Sequence, residues 1–400
     1  MHKIETLLQT LAPKGVEFRK LGEVINILKG KQLNKELLLD YGEYPVMNGG
    51  IHASGYWNEY NTDYPKIIIS QGGASAGYVN YMTSKFWAGA HCYTIELNSE
   101  KLNYKFLYYF LKNSQIILMK SQFGAGIPAL NKADIETLTI PIPPLEIQQE
   151  IVKILDAFTE LNTELNTELK ARKKQYQYYQ NMLLDFNDIN QNHKDAKEKL
   201  AQKTYPKRLK SLLQTLAPKG VEFRKLGEVL EYDQPNKYCV TSKEFDKSYP
   251  TPVLTAGKTF ILGYTNEKDN IYQASKSSPV IIFDDFTTAT QWVDFPFKVK
   301  SSAMKILLPK NPTINIRFVF FYMQTIPYNI SGEHTRQWIS RYSQLEVPIP
   351  PLEIQQEIVK ILDQFSILTT DLQTGIPAEI EARKKQYEYY REKLLTFKPL

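Results

Sequence analysis

Hydrophobic residues follow a helical period along two long segments of the chain. The stripe in the first segment is Ile147, Ile151, Ile154, Phe158, Leu161, Leu165, Leu169, Arg172, Tyr176, Tyr179 and Leu183. The stripe in the second is Ile354, Ile358, Ile361, Phe365, Leu368, Leu372, Ile376, Ile380, Arg383, Tyr387, Tyr390 and Leu394. Steps of four and three alternate for about five heptads, interrupted by one extra step of four in the first stripe and two in the second, which predicts a long helix with a narrow apolar seam. Such a seam needs a partner helix, and we expect each copy to be the partner of the other.

Both predicted helices begin inside a block that occurs twice. The sequence PIPPLEIQQEIVKILD at 141–156 returns unchanged at 348–363, and the earlier block LLQTLAPKGVEFRKLGEV at 7–24 returns at 212–229. ARKKQY at 171–176 also returns, at 382–387. The Pro-Pro pair suits a helix start, where the missing N–H groups are not needed. The chain is therefore a tandem duplication.

Two segments of different sequence lie between the repeated blocks, and they read as short strands, turns and single helices. We expect strands at Val16–Ile27, Ile67–Ser70, Phe86–Leu97 and Val280–Phe283, and helices at Lys3–Leu11, Tyr104–Lys112 and Arg317–Gln324. The order of elements is similar in both segments, but the loop residues differ. This pattern predicts an α+β protein with two similar α/β domains and an internal pseudo-two-fold repeat.

The repeats also predict domain boundaries. We expect a first variable domain at 1–141, a first helix at 142–186, a polar linker at 187–204, a second variable domain at 205–348 and a second helix at 349–400. Gly375 and Pro377 should break or kink the second helix.

Composition indicates the cellular compartment of the protein, but it does not identify a ligand. Hydrophobic content is 42%, and the longest apolar runs are too short to cross a bilayer. The N-terminal residues do not read as a secretory signal, and the two cysteines, Cys92 and Cys239, have no metal-site spacing. We therefore expect a cytoplasmic protein that makes no membrane contact. A net charge of +6 is compatible with nucleic-acid binding without indicating it.

No motif for catalysis or metal binding is complete. Gly257-Lys-Thr259 lacks the first glycine of a phosphate loop, and the Phe123–Gly126 run lacks a methyltransferase motif beside it. Asp284 and Asp285 could bind a metal ion, but no histidine or Glu-x-Lys completes a nuclease site. The sequence therefore predicts a non-catalytic chain that holds no cofactor or metal.

The repeated blocks resemble those of the specificity subunits of type I restriction–modification systems. APKGVEFRKLGEV at 12–24 and 217–229, PIPPLEIQQEIV at 141 and 348, and ARKKQY followed by Tyr-Tyr carry the resemblance, which covers the whole chain. It implies two target-recognition domains that each read half of a split sequence in double-stranded DNA. It also implies that the two helices form an antiparallel coiled coil, which spaces the domains and docks two methyltransferase subunits. Those subunits would hold S-adenosylmethionine, and restriction subunits could join them.

Candidate DNA-binding residues are polar or basic side chains on turns of the variable segments, because such groups contact phosphates and base edges. In the first segment they are Lys31, Asn48, His52, Gln71, Ser75, His91 and Asn131. In the second they are Lys258, Thr259, Asp284, Thr287, Gln291, Arg336, Gln337 and Arg341, with Asp284 as an acceptor for a cytosine amino group.

Candidate partner-binding residues lie on the polar faces of the duplicated helices. They are Gln148, Gln149, Glu150, Lys173, Lys174, Gln355, Gln356, Glu357, Lys384 and Lys385. Two other readings stay open: a coiled-coil scaffold whose inserts bind protein or sugar, and a stand-alone DNA enzyme.

Overall fold

Contacts divide the chain into two units, each built from both repeats. The computed structural model describes residues 2–123, 128–256, 260–327, 336–370 and 375–400. The first unit comprises residues 1–167 and 379–400, and the second comprises residues 168–378. Each unit therefore contains one variable domain, the start of the helix that follows it, and the end of the helix from the other repeat.

The first unit contains nine strands and four helices of its own within the described residues, together with parts of two further helices. The strands are β1 (Glu17–Lys20), β2 (Ile25–Lys29), β3 (Tyr44–Met47), β4 (Gly55–Trp57), β5 (Lys66–Ser70), β6 (Val79–Met82), β7 (Trp87–Ala88), β8 (Cys92–Leu97) and β9 (Thr139–Ile142). The helices are α1 (His2–Leu11), α2 (Tyr104–Asn113), α3 (Gln115–Lys120), α4 (Lys132–Glu136), the start of α5 (Leu145–Leu184) and the end of α11 (Ile376–Leu394). The strands and helices expected here are confirmed to within a few residues, except that the two longer strand regions, 16–27 and 86–97, each form two strands.

The strands of the first unit form three sheets. β2, β8, β5 and β6 make an antiparallel four-stranded sheet in that order, β4, β3 and β7 make a three-stranded sheet, and β1 pairs with β9. Ile67 of β5, Ile95 of β8, Phe106 of α2, Ile147 of α5 and Leu394 of α11 lie in one buried cluster. The core therefore joins the variable domain to helices from both repeats.

The second unit repeats this arrangement. Its strands are β10 (Phe223–Lys225), β11 (Leu230–Asp233), β12 (Thr251–Leu254), β13 (Ile261–Thr265), β14 (Val280–Asp284), β15 (Thr290–Val293), β16 (Lys298–Val299), β17 (Met304–Pro309) and β18 (Glu346–Pro348). Its helices are α6 (Ala196–Gln202), α7 (Lys207–Leu216), α8 (Leu226–Val229), α9 (Ile316–Met323) and α10 (Leu352–Thr370), with the end of α5. The sheet orders, β11-β17-β14-β15, β13-β12-β16 and β10-β18, match those of the first unit strand for strand.

Strand register decides which variable residues correspond. Ile67 pairs with Ile95 in the first unit, and Ile281 pairs with Leu307 in the second. The end of β5 at Ser70 therefore corresponds to Asp284. Ile67 likewise corresponds to Ile281, the second residue of the strand expected at Val280–Phe283.

The segment at 187–204 differs from the polar linker expected. It contains a 3₁₀ turn at Asn187–Ile189 and the helix α6, and Ile189, Ala196 and Leu200 are buried. Val221 N–H donates to the Ile189 carbonyl at 2.7 Å, which ties the segment to the start of the second variable domain. Its few apolar residues are too widely spaced to show a helical period, but tertiary contacts bury them.

The helical segments of the two repeats pack against each other within each unit, as the apolar seams predict. In the first unit Phe158 stacks on Tyr390, with ring centroids 5.5 Å apart. In the second unit Tyr179 stacks on Phe365 at 4.9 Å. At the start of α5 the buried position is Leu155, whereas Ile154 is only partly buried. α11 begins at Ile376 with Pro377 in its first turn, as Gly375 and Pro377 predict; Leu372 lies outside the described residues.

Candidate nucleic-acid interface

Four loops of the first unit meet around residues 89–91. Lys31 N–H donates to the Ala88 carbonyl at 2.8 Å, Asn48 Oδ1 accepts from His91 N–H at 3.1 Å, and Gln71 N–H donates to the His91 carbonyl at 2.8 Å. The fold thus brings together four of the residues selected from sequence.

Glycines permit this close approach. A Cβ atom on Gly89 would lie 2.5 Å from Asn48 Oδ1, and one on Gly30 would lie 2.2 Å from the Gly89 carbonyl oxygen. Gly49 adopts a φ of +84°, which L side chains rarely adopt. The loops are therefore joined by backbone hydrogen bonds and by the Asn48 side chain, while Lys31, His52 and His91 are exposed.

The other candidates of the first unit lie on the same loops. His52 is exposed on the β3–β4 connection that also carries Asn48, and Ser75 lies on the β5–β6 connection after Gln71. Leu130 N–H donates to the Gln71 carbonyl at 2.8 Å, which places the segment before α4 beside that connection. Asn131 caps α4 and is exposed.

In the second unit the corresponding loops carry different chemistry. The Asp285 carbonyl accepts from Gln337 N–H at 2.9 Å. The corresponding hydrogen bond of the first unit joins the Gln71 carbonyl and Leu130 N–H. Asp285 Oδ1 also accepts from Trp338 N–H at 2.8 Å. This contact holds the segment that carries Arg336 and Arg341, both exposed, next to the end of β14.

Two candidates of the second unit are buried, which corrects the expectation that they read bases. Asp284 is 5% exposed, and its carboxylate accepts from the N–H groups of Phe286 and Thr287 and from the Thr287 hydroxyl, so it stabilises its own turn. Gln337 is 2% exposed. Gln291 is exposed on β15, whereas Lys258 and Thr259 lie outside the described residues.

A buried ion pair beneath these loops was not singled out from the sequence. Lys305 of β17 and Asp285 are each 1% exposed, with Nζ 3.5 Å from Oδ2, and Lys305 also donates to Gln234 Oε1. Burial lowers the pKa of Lys305, and the charge of Asp285 opposes that shift. The position that corresponds to Lys305 in the first unit is Tyr93, whose hydroxyl donates to the Leu130 carbonyl. The sequence did contain one signal for this ion pair, which is a lysine inside an otherwise apolar strand.

The acidic residues do not form a metal site in the part of the chain that the structure describes. No group of three or more His, Cys, Asp or Glu side chains there could hold a metal ion. Asp284 and Asp285 face different partners, a turn and a lysine. The same residues include no helix with both the length and the apolar character needed for a membrane span.

The candidate partner-binding residues on the polar helix faces are distributed between the two units. Gln149 and Glu150 belong to the first unit with Lys384 and Lys385, because the end of α11 packs there. The corresponding set in the second unit is Gln356, Glu357, Lys173 and Lys174. The glutamines and lysines of both sets are exposed, whereas Glu150 pairs with Lys3 and Glu357 pairs with Arg208.

Gln148 and Gln355 are fully buried, which corrects the expectation that they bind a partner. Gln148 Nε2 donates to the carbonyls of Lys101 and Pro143, at 2.8 and 2.6 Å, and its Oε1 accepts from Asn103 N–H at 2.7 Å. Gln355 makes the same three bonds, to Thr313, Pro350 and Asn315. Both side chains join the start of a long helix to its variable domain.

Comparison with known proteins places these features in one family. A family model described as the type I restriction modification DNA specificity domain matches residues 13–175 and again 218–382. A putative type I restriction enzyme specificity subunit of Haemophilus influenzae is 31% identical over 96% of both chains. The EcoR124I/EcoR124II specificity subunit of Escherichia coli is 55% identical, over 44% of this chain and 45% of that one.

Solved structures support the fold. The S subunit of a type I restriction–modification system from M. genitalium has a TM-score of 0.67 and 21% identity, covering 95% of this chain and 96% of the other. The double match of the family model agrees with the two units of identical strand order.

Proposed function

The chain belongs to the type I restriction–modification DNA specificity family, and we propose that each of its two units reads one half of a bipartite sequence in double-stranded DNA. The observation that carries the proposal is that both units have one strand order and different loop chemistry. Two units with the same fold can approach DNA in the same way, and different side chains at the corresponding loops would select different bases.

The loops that meet in each unit are the proposed reading surface. In the first unit Lys31, Asn48, His52, Gln71 and His91 supply donors and acceptors for phosphates and base edges, with Ser75 and Asn131 beside them. In the second unit Thr287, Gln291, Arg336 and Arg341 take these roles. Arginine suits guanine, whose N7 and O6 accept a bidentate pair of hydrogen bonds.

The chain is a specificity subunit and not the catalytic one, so we propose that chemistry occurs on its partners. Two methyltransferase subunits would dock on the two polar helix faces, because each unit presents an equivalent set of residues. They would bring S-adenosylmethionine, and restriction subunits would join a complex that also cleaves DNA. DNA as the ligand and two free cysteines support the cytoplasm as the compartment. The comparisons offer no support for the alternative of a scaffold with inserts for other ligands.

The test is to assemble the chain with methyltransferase subunits and to sequence the methylated sites. We expect one split target with a single gap. Affinity for that target should fall by about a thousandfold or more between 50 and 200 mM salt if six or more phosphates are contacted. Methylation at a continuous sequence, or equal affinity for unrelated duplexes, would contradict the proposal.

A further inference from the structure

An aspartate at the end of the duplicated block binds a cation from the variable domain in both units. Asp156 of α5 lies 3.0 Å from Lys105 Nζ. Asp363 of α10 accepts from Arg317 Nη2 and Nε, at 2.8 and 2.9 Å. The aspartates are identical by duplication, but the cations belong to segments of different sequence.

The two cations occupy the same place in the fold. Lys105 follows Asn103, whose side chain caps α2, and Arg317 follows Asn315, which caps α9 in the same way. Because Gln148 and Gln355 bind the N–H groups of these two asparagines, the cations start from corresponding backbone positions.

An aromatic ring from the sheet covers each cation. Lys105 Nζ lies 5.6 Å from the centroid of the Tyr81 ring, and Arg317 Cζ lies 4.5 Å from that of Trp292. Tyr81 pairs with Ile67 and Trp292 pairs with Ile281, so the two rings stand at corresponding strand positions. We call each set of ring, cation and aspartate the cation clamp.

Stability alone does not account for the cation clamp of the first unit. Lys105 and Asp156 are each 37% exposed, and ion pairs this exposed contribute little to stability because water and salt screen them, whereas Arg317 in the second unit is 20% exposed and is screened less. A cation held between a ring and a carboxylate does, however, restrict direction, since the ring attracts the cation over its face. The clamp therefore constrains how the variable domain sits on the helix that follows it.

We propose that the cation clamp is a positioning device: it sets the orientation of each reading domain on its helix and thereby restricts the gap between half-sites to one length. This rests on the proposed bipartite reading. Lys105, Arg317 and the two aspartates are positioning residues, which act through the reading loops without touching DNA.

The test compares Lys105→Met and Arg317→Met with Lys105→Arg, each as the full chain assembled with methyltransferase subunits. Sequencing of methylated sites should show both half-site sequences retained in the two methionine variants. Methylation of sites whose gap differs by one base pair should rise on the order of tenfold, because loss of the ion pair and the ring contact removes about 1.4 kcal/mol of preference for one orientation. Lys105→Arg should keep the single gap, since arginine serves in the other unit.

Lys132→Met is the matched control, because it removes an exposed cation from a local pair with Glu136 in the same unit. We expect its gap to stay single and the melting temperatures of the Lys105 and Lys132 variants to stay close to that of the wild type. Arg317→Met is assayed well below its own melting temperature, because the Arg317 guanidinium also lies over the rings of Phe320 and Phe321. An unchanged gap in both methionine variants, or equal broadening in the control, would overturn the clamp. Lost methylation with a lowered melting temperature would assign the contact a structural role and would also overturn it. A wild type that recognises no split site would instead refute the proposed function.

Discussion

Gln148 holds the backbone of Asn103: its side-chain oxygen accepts the Asn103 N–H at 2.7 Å, and its side-chain nitrogen donates to carbonyls on either side of the junction. The two residues are 45 positions apart. One buried amide thus connects the duplicated helix to the variable domain, and Gln355 does the same for the second unit.

Removing this amide should destabilise the unit that contains it. Gln148→Leu leaves an N–H and two carbonyls without their partner, and each unsatisfied buried group costs about 1 to 3 kcal/mol. We expect a loss of about 3 kcal/mol or more in urea unfolding for Gln148→Leu and for Gln355→Leu. The adjacent exposed glutamines supply controls: Gln149→Leu and Gln356→Leu should lie within about 0.5 kcal/mol of the wild type. Equal effects at neighbouring positions would contradict this role.

Exchange of one variable domain should change one half of the target. Residues 30–139 and 231–346 lie between the duplicated blocks, and each belongs to one unit. Replacing residues 30–139 by the corresponding domain of a relative should alter one methylated half-site and leave the other intact. The reciprocal exchange at 231–346 is the control. If both halves changed together, the units would not be independent readers.

Charge reversal on the helix faces should weaken assembly with the methyltransferase subunits. Lys173, Lys174, Lys384 and Lys385 are exposed, so glutamate at all four would repel an acidic partner surface without disturbing a core. We expect complexes that dissociate at dilute concentration, observed as a lower mass, from a chain with unchanged melting temperature.

The control variant reverses four exposed lysines of the variable domains: Lys35, Lys243, Lys247 and Lys268. It should assemble normally even if DNA binding changes. Loss of assembly in the control alone would place the docking surface on the variable domains.

Shortening α5 by four residues should shorten the gap between half-sites by about one base pair. Residues 159–170 read TELN TELN TELK, and the side chains of Thr163 and Asn166 bond to the preceding turn of their own helix. Deleting 163–166 removes one seam residue, Leu165, but the repeat brings Leu169 into its place, so the apolar seam is retained. Four helical residues span about 6 Å and about 40° of rotation. One base pair spans about 3.4 Å and about 35°.

Sequencing of methylated sites checks the deletion. Both half-sites should be retained with a gap one base pair shorter, whereas the substitutions Thr163→Ala and Asn166→Ala, which keep the length, should leave the gap unchanged. An unaltered gap in the deletion would refute the helix as a ruler.

Lys112 should make stability depend on pH in the alkaline range. Burial lowers the pKa of Lys112 from 10.5 to about 8, and the positive charge of Arg391 contributes in the same direction. The Nζ atom of Lys112 donates to the Val79 carbonyl and to the Gln115 side chain, and it lies over the Tyr78 ring. Between these two pKa values the unfolded chain binds more protons, so stability should rise with pH.

Urea unfolding between pH 8 and about 9.5 should show this effect as a difference in stability between the wild type and Lys112→Met that changes with pH, whereas the difference between the wild type and the exposed control Lys120→Met should stay constant. The comparison is made between variants because burial raises the pKa of Cys92 from 9.0 to about 12, which lowers the stability of all three proteins as the pH rises through this range. The range ends there because burial raises the pKa values of Tyr104 and Tyr108 to about 12, an effect that lowers stability above pH 10. A difference between the wild type and Lys112→Met that does not change with pH would contradict this role of Lys112.

The sequence by itself determined the duplication, the helix starts, the type of most elements and the family. Repeated blocks are visible as identity, and helices such as α2 and α5 follow from local periodicity and from Pro-Pro or Asn at their starts. These signals involve residues close in sequence, so they need no knowledge of the fold.

Only the tertiary structure decided which polar residues face inward and which helix ends meet. Gln148 and Gln149 are indistinguishable by type, but the first is buried, where its side chain bonds to the backbone of Lys101, Asn103 and Pro143. Asp284 looked like a base reader and closes a turn instead. Phe158 meets Tyr390 because each unit is completed by a helix end from the other repeat. Each outcome depends on contacts between residues distant in sequence, and periodicity carries no information about such contacts.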